Sequence, residues 1–259
     1  MMNILMTNDD GIDSDGIQKL AWLLRSSGKY NVTVIAPDTN RSGISHALSL
    51  LNGPVKLCEL GKGTWSCTGY PSDCIIAGLK GVLSEWPDLV LSGINRGANL
   101  GTDVIYSGTA AAARQASLVG IPAIALSLSG CEPFYWDMAS AWVVDHLDEL
   151  LTYWREDTFV NVNIPNNESY PEGLAATWPA VKNYQDTLSI MIAPDGSRYC
   201  FLESGEETTV QETGSDNDTV SRNFVSVSPI YNFPVVQREL CPGAPNHAAV
   251  TTRVGIRYG

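Results

Sequence analysis

The strongest constraint on this chain is a rhythm in which short apolar runs end in polar loops and are followed by apolar residues at helical spacing. Asn3-Ile4-Leu5-Met6-Thr7 runs into Asn8-Asp9-Asp10-Gly11, after which Ile17, Leu20, Ala21, Leu23 and Leu24 recur three and four apart. Residues 30–37 (YNVTVIAP) are a second, β-branched run. Two strands separated by a helix cannot close a tight hairpin, so they pair in parallel through a crossover. The rhythm resumes with helical spacing over 71–83, 109–118 and 137–155, and strand-like runs at 88–91, 122–128 and 159–164. Such alternation predicts an α/β fold built on a doubly wound, mostly parallel, Rossmann-like sheet.

Two stretches depart from the rhythm. Residues 46–68 hold short alternating runs broken by Asn52-Gly53-Pro54 and Gly61-Lys62-Gly63, which predicts a β-hairpin inserted after the second parallel strand. Beyond residue 165 the pattern becomes β-type, with runs at 175–178, 189–192, 199–202 and 224–230 and no clear helix, and the acidic stretch 203–218 reads as a solvated loop. The expectation is therefore an α/β catalytic core over 1–165 and a β-rich C-terminal extension over 166–259 used in self-association.

Charge narrows the partners. The 259 residues carry a net charge of −12, and the excess lies in the second half: residues 131–259 hold 7 basic and 18 acidic residues, against 9 and 10 in residues 1–130. That sign repels nucleic-acid backbones and anionic lipid headgroups, so neither a DNA or RNA duplex nor a membrane is an expected partner, and an anionic substrate does better in the first half. No apolar run approaches the roughly 20 residues of a membrane span, and the start lacks a basic region followed by an apolar one, so the expected location is the cytoplasm. The six cysteines lack metal-binding spacing and are expected to be reduced and mostly buried.

Ligands of open α/β sheets bind beyond the carboxyl ends of the strands. After the first strand, Asp9 and Asp10 stand side by side, and adjacent carboxylates repel unless a cation or proton lies between them. A hard divalent ion resolves that conflict. The loop after the second strand offers the Ser42 hydroxyl and the His46 imidazole, and the glycine-rich loop 92–101 supplies Asn95 and Asn99. Tyr106-Ser107-Gly108-Thr109 then enters an Ala-rich helix, whose first N–H groups, hydroxyls and positive dipole end suit a phosphate. Asp-Asp-Gly is also an ordinary turn, Ser107 or Thr109 an ordinary cap, His46 an ordinary surface or hydrogen-bonded residue, and Asn95 and Asn99 ordinary turn formers. Their coincidence at neighbouring strand ends is what points to chemistry. The chain has no GxGxxG after its first strand, no GxxxxGK[ST] and no GxSxG, which removes the main support for a dinucleotide oxidoreductase, a P-loop enzyme or an α/β-hydrolase.

Taken in order, Thr7-Asn8-Asp9-Asp10-Gly11-Ile12, Ala36-Pro37-Asp38 with Arg41-Ser42-Gly43, Ser92-Gly93-Ile94-Asn95 with Gly97, Asn99, Gly101 and Asp103, and Tyr106-Ser107-Gly108-Thr109 resemble the motifs of the SurE family, the survival protein E nucleotidases. Gly69-Tyr70-Pro71-Ser72-Asp73-Cys74 resembles that family's Gly-x-Pro-Ala-Asp-Cys segment. The likeness is dense over 1–165 and loose beyond. It implies a metal-dependent 5'/3'-nucleotidase that releases phosphate from nucleoside monophosphates and, in some members, from short polyphosphate. By similarity, one Mg²⁺ or Mn²⁺ per subunit is held by Asp9, Asp10, Ser42 and Asn95, while Asn99, Ser107, Gly108 and Thr109 surround the phosphate. Dimers that exchange a C-terminal element, and tetramers made from them, are the implied assemblies.

On this reading a water on the ion attacks phosphorus, Asp9 orients or deprotonates that water, and His46 protonates the departing ribose oxygen. Thr39 stands where the family often has Arg, Ser45-His46-Ala47 replaces Gly-His-Ser, and Asn223 replaces a Gly, so contacts near the leaving group and in the tail differ from the usual pattern. Two alternatives stay open: a phosphatase forming an aspartyl-phosphate on Asp9 or Asp10, which usually spaces its acids Asp-x-Asp, and a non-catalytic metal or nucleotide sensor.

Overall fold

The structure is a computed structural model that describes residues 1–205, 207–210 and 212–235. Its first half runs β1 (Met2–Thr7), α1 (Asp15–Ser26), β2 (Tyr30–Pro37), β3 (Leu57–Gly61), β4 (Thr64–Cys67), α2 (Pro71–Ala77), β5 (Leu89–Arg96), α3 (Gly108–Ser117), β6 (Ala123–Ser129), α4 (Trp136–Leu151) and β7 (Thr158–Pro165). After these come β8 (Leu174–Ala176), β9 (Lys182–Tyr184), β10 (Thr187–Ile192), β11 (Arg198–Glu203), β12 (Glu207–Thr209), α5 (Asp216–Ser221) and β13 (Val225–Tyr231). Among the described residues the main sheet has nine strands in the order β3-β4-β2-β1-β5-β6-β7-β13-β8. From β4 through β2, β1, β5 and β6 to β7 the pairing is parallel, as the crossover argument requires, and the predicted hairpin is the antiparallel pair β3–β4.

Alternation along each strand sends side chains to two cores. Ile4 and Met6 of β1 join Leu20 and Leu24 of α1 and Trp142, Leu147 and Leu150 of α4 on one face. Leu5 joins Ile75 of α2 and Ala110, Ala113 and Ala116 of α3 on the other. The alanines of α3 let that helix lie close to the sheet, with its N-terminus at the carboxyl ends of the strands.

The structure differs from expectation past residue 165. Strand β13 returns antiparallel onto β7, and β8 lies parallel outside it, so the main sheet continues across the expected boundary. The second half also holds a helix, α5. Ser215 caps it by accepting from the Asp218 N–H at 3.3 Å, and Asp216 and Asp218 sit in its first turn, where negative charge meets the positive dipole end. Acidity that reads as a solvated loop is, in part, a helix start. The runs near 190 and 200 form the hairpin β10–β11, exposed along its whole length. Residues 236–259, with the end of the expected extension and Cys241, lie outside the described residues. Cys58, Cys67, Cys74, Cys131 and Cys200 are free thiols; Cys67 and Cys74 are buried and Cys131 and Cys200 exposed. Among the described residues no helix is long and apolar enough to cross a membrane.

Candidate functional site

Two strand-end loops and the N-terminus of α3 are hydrogen-bonded onto the Asp9-Asp10 pair. The Asp9 carbonyl accepts the Arg41 N–H at 2.7 Å, which seats the loop after β2, and therefore Ser42, against the first loop. The Asp10 Oδ2 accepts the Arg96 N–H at 2.9 Å, which joins the end of β5 and its Asn95 to the same point. Asn95 spends its Nδ2 on the Gly97 carbonyl at 3.0 Å, so its Oδ1 is the end left to accept a cation. Strand β5 runs several residues beyond the expected 88–91, because its pairing with β6 resumes at Asn95 after a register shift from Ser92. That bulge re-aims Asn95.

The third contact comes from the start of α3. Thr109 Oγ1 donates to Asp9 Oδ1 at 2.5 Å, and the Thr109 N–H also reaches this carboxylate. The anion that meets the N-terminus of α3 is thus Asp9 itself. Ser107 is the N-cap, its Oγ accepting from the Ala110 N–H at 2.9 Å, which leaves its O–H free to donate. Gly108 is pressed against Asp9: a Cβ built there would lie 2.9 Å from both Asp9 Cβ and Asp9 Oδ2. Asp9, Asn95, Asn99, Ser107 and Thr109 are buried, whereas Ser42 is exposed on the rim.

Electrostatics at this point are unresolved by the protein alone. Burial pushes the Asp9 carboxyl up to about 6, the Asp10 charge pushes the same way, and the Thr109 hydrogen bonds oppose both. Burial also raises Asp10, against the Arg96 N–H and guanidinium. Among the described residues neither carboxylate has an ion-pair partner, for the Arg96 guanidinium pairs with Glu132. Two desolvated neighbouring acids without a cationic partner are the kind of oxygen donors that a hard divalent cation satisfies. Among the described residues no cluster of three or more His, Cys, Asp or Glu competes with this pair.

Asn99 depends on residues that the sequence reading left out. Its N–H donates to Asn163 Oδ1 at 2.8 Å, its carbonyl accepts from Asn161 and Asn163 Nδ2 at 2.9 and 3.0 Å, and its own Nδ2 donates to Ser127 Oγ at 2.8 Å. The signal was present: two asparagines at period two, in a strand buried at every position, have no packing reason to be polar.

A family described as Survival protein SurE matches residues 4–186. This chain belongs to the SurE family. A 5'-nucleotidase SurE from Pelobacter propionicus is 41% identical over 235 residues, covering 89% of this chain and 93% of that protein. One from Thermosipho africanus is 38% identical over 241 residues, covering 90% and 92%. The crystal structure of the SurE protein from Aquifex aeolicus superposes with a TM-score of 0.80 at 34% identity, covering 93% of this chain and 97% of that one.

His46 stands apart from the other SurE-like positions. Its Nε2 is 2.9 Å from Gln115 Oε1, six residues and so about 9 Å along α3 beyond Thr109. Burial lowers its pKa, Arg114 adds to that, and the Gln115 bond opposes it. The loop bearing it is fastened at Ser45, whose N–H and Oγ donate to the Tyr106 and Ile105 carbonyls at 2.9 and 2.7 Å, just ahead of the Ser107 turn.

Proposed function

We propose that this chain is a divalent-metal-dependent 5'/3'-nucleotidase releasing phosphate from nucleoside monophosphates, with short polyphosphate as a secondary substrate. The observation that carries the reading is the convergence of two strand-end loops and the N-terminus of α3 on one desolvated carboxylate pair. Asp9, Asp10, Ser42 and Asn95 would hold the ion, Mg²⁺ or Mn²⁺, one to a subunit. When bound, it polarises a phosphoryl oxygen and supplies a water of lowered pKa. Asp9 orients the attacking water and takes its proton. The Ser107 hydroxyl, the Gly108 and Thr109 N–H groups and the Asn99 amide hold the phosphoryl oxygens and meet the charge that grows in the transition state, each such donor being worth about 3 kcal/mol. His46 donates to the departing ribose oxygen; its lowered pKa makes it a stronger acid but leaves it mostly neutral at pH 7, so this step gains from mild acidity.

The test is phosphate release from a panel of nucleoside 5'- and 3'-monophosphates with added Mg²⁺ or Mn²⁺. EDTA is expected to remove activity completely and excess Mn²⁺ to restore it. Binding without release under every ion would make the protein a sensor, and activity that survives EDTA would remove the metal from the reading.

The β10–β11 hairpin supports a homodimer or homotetramer. Leu188, Ile190, Ile192 and Leu202 share one face of the ribbon while Tyr199 and Phe201 lie on the other, all more than half exposed. A two-stranded ribbon bare on both faces is marginal in water, and a second copy supplies the missing cover. Light scattering at micromolar concentration should give a dimer or tetramer, and Ile190→Asp should shift it toward smaller species; a wild-type monomer would reject the assignment.

A further inference from the structure

The loop between β5 and α3 carries Asn99 and Ser107, and its residues 101–103 are fastened by the part of the chain that follows β7. The Gly101 N–H donates to Asp216 Oδ2 at 2.7 Å, and the Ala180 N–H donates to Asp216 Oδ1 at 2.8 Å, so one fully buried carboxylate ties the two segments together. They approach so closely that a Cβ on Gly101, whose φ is +55°, would fall 2.3 Å from the Ala180 carbonyl oxygen. Thr102 Oγ1 donates to the Lys182 carbonyl and accepts its N–H, both at 3.1 Å. Lys182 Nζ, 8% exposed, reaches Asp103 Oδ2 at 2.9 Å, and the Tyr184 hydroxyl donates to Asp103 Oδ1. The Asp103 carbonyl in turn accepts the N–H groups of Tyr106 and Ser107 at 2.9 and 3.1 Å.

Two hydrogen-bonded links thus separate the Lys182 ammonium from the Ser107 backbone. We infer that Lys182, with Asp216 behind it, is a positioning residue for the phosphate-binding turn: it fixes Asp103, Asp103 fixes Ser107, and Ser107 is set against the transferred phosphoryl group. The inference rests on the proposed role of Asn99 and Ser107 as phosphate contacts. It assigns the chain after residue 165 a part in the reaction as well as in assembly. A half-buried ion pair is a poor source of net stability but a constraint on direction, and a turn displaced by a fraction of an ångström loses most of its value to a transition state.

The design separates the anion half of the site from the cation half. Lys182→Met, Lys182→Arg, Asp103→Asn and Tyr184→Phe are compared with the wild type in the full-length protein, and Leu150→Ala, buried on the opposite face of the sheet, serves as a control for lost stability alone. Three quantities are read: kcat on AMP, the inhibition constant of inorganic phosphate, and the Mn²⁺ concentration giving half-maximal rate. Lys182→Met should lower kcat by about ten- to hundredfold and weaken phosphate inhibition, leaving the Mn²⁺ requirement unchanged. Lys182→Arg should recover most of the loss, and Leu150→Ala should leave all three quantities at wild-type values. Should Lys182→Met fail to fold, Asp103→Asn removes the same ion pair and Tyr184→Phe the second hold on the Asp103 carboxylate, and both are expected to show the same split. Wild-type kcat and phosphate inhibition in these variants would overturn the inference, as would an equal shift in the Mn²⁺ requirement. A wild type that releases no phosphate would remove the underlying functional reading and this inference with it.

Discussion

Asp9→Asn is expected to abolish turnover and to stabilise the metal-free protein at the same time. Catalytically the change removes a charged ligand and the group that takes the water's proton. Several kcal/mol of transition-state stabilisation are lost, and at tenfold for each ~1.4 kcal/mol the rate falls by about a thousandfold or more. The stability effect has the opposite sign and its own pH dependence. Burial raises the Asp9 carboxyl from 3.8 to about 6, so the folded chain binds a proton there more tightly than the unfolded chain does. Keeping the group ionised therefore costs about 3 kcal/mol, at ~1.4 kcal/mol per pKa unit, in full above pH 6. The cost fades as pH falls from there toward 3.8. Asn, uncharged at every pH, still offers Oδ1 to the Thr109 hydroxyl and escapes the cost.

Metal-free Asp9→Asn should thus melt about 5–10 °C above metal-free wild type at pH 8, with the gap closing near pH 4. Saturating Mn²⁺ should raise the melting temperature of the wild type and leave the variant where it was. Differential scanning calorimetry with and without the ion reads both effects. A variant no more stable than wild type at pH 8 would show that the carboxylate is comfortable without a cation, and the strongest physical ground for the metal site would be gone.

How much of this was legible beforehand follows from the range of each interaction. Strands β1, β2, β5, β6 and β7 and helices α1, α3 and α4 announce themselves because their periodicity is local, and the right pairing follows from crossovers alone. Asp9 and Asp10 stand out because adjacent acids are electrostatically awkward wherever the chain goes. Position along β5 was harder: nothing in Ser92-Gly93-Ile94-Asn95 says that a bulge lets the strand continue, since the register with Ser127 and Leu128 settles it. Strand β13 is a plain β-type run whose antiparallel seat beside β7 depends on partners more than 60 residues away. The links from Asp216 to Gly101 and from Lys182 to Asp103 span 115 and 79 residues, and no local pattern encodes them. Helix α5 was hidden by composition, because an Asp-rich stretch looks solvated until one of its acids is seen buried with three N–H groups on it.

Gly108→Ala offers the sharpest test of the contact between the two halves of the site. Gly108 is the first residue of α3, where alanine is the better helix former by up to ~1 kcal/mol, so the backbone gains from the change. The cost is steric and confined to one neighbour: the new methyl lies 2.9 Å from Asp9 Cβ and Oδ2, closer than carbon and oxygen atoms pack. Asp9 is held from behind, its carbonyl on the Arg41 N–H and its Oδ1 on Thr109 at 2.5 Å, and cannot simply rotate away. Either the carboxylate swings off Thr109 or the first turn of α3 lifts away from the sheet. Both outcomes pull the base and the phosphate donors out of register by several tenths of an ångström. We expect kcat on AMP to fall by about a hundredfold, with thermal stability within ~1 kcal/mol of wild type and the Mn²⁺ requirement raised. Near-native kcat in a folded Gly108→Ala protein would mean that Asp9 and the start of α3 do not act on the same phosphoryl group, because the substitution leaves no geometry in which both keep their present places.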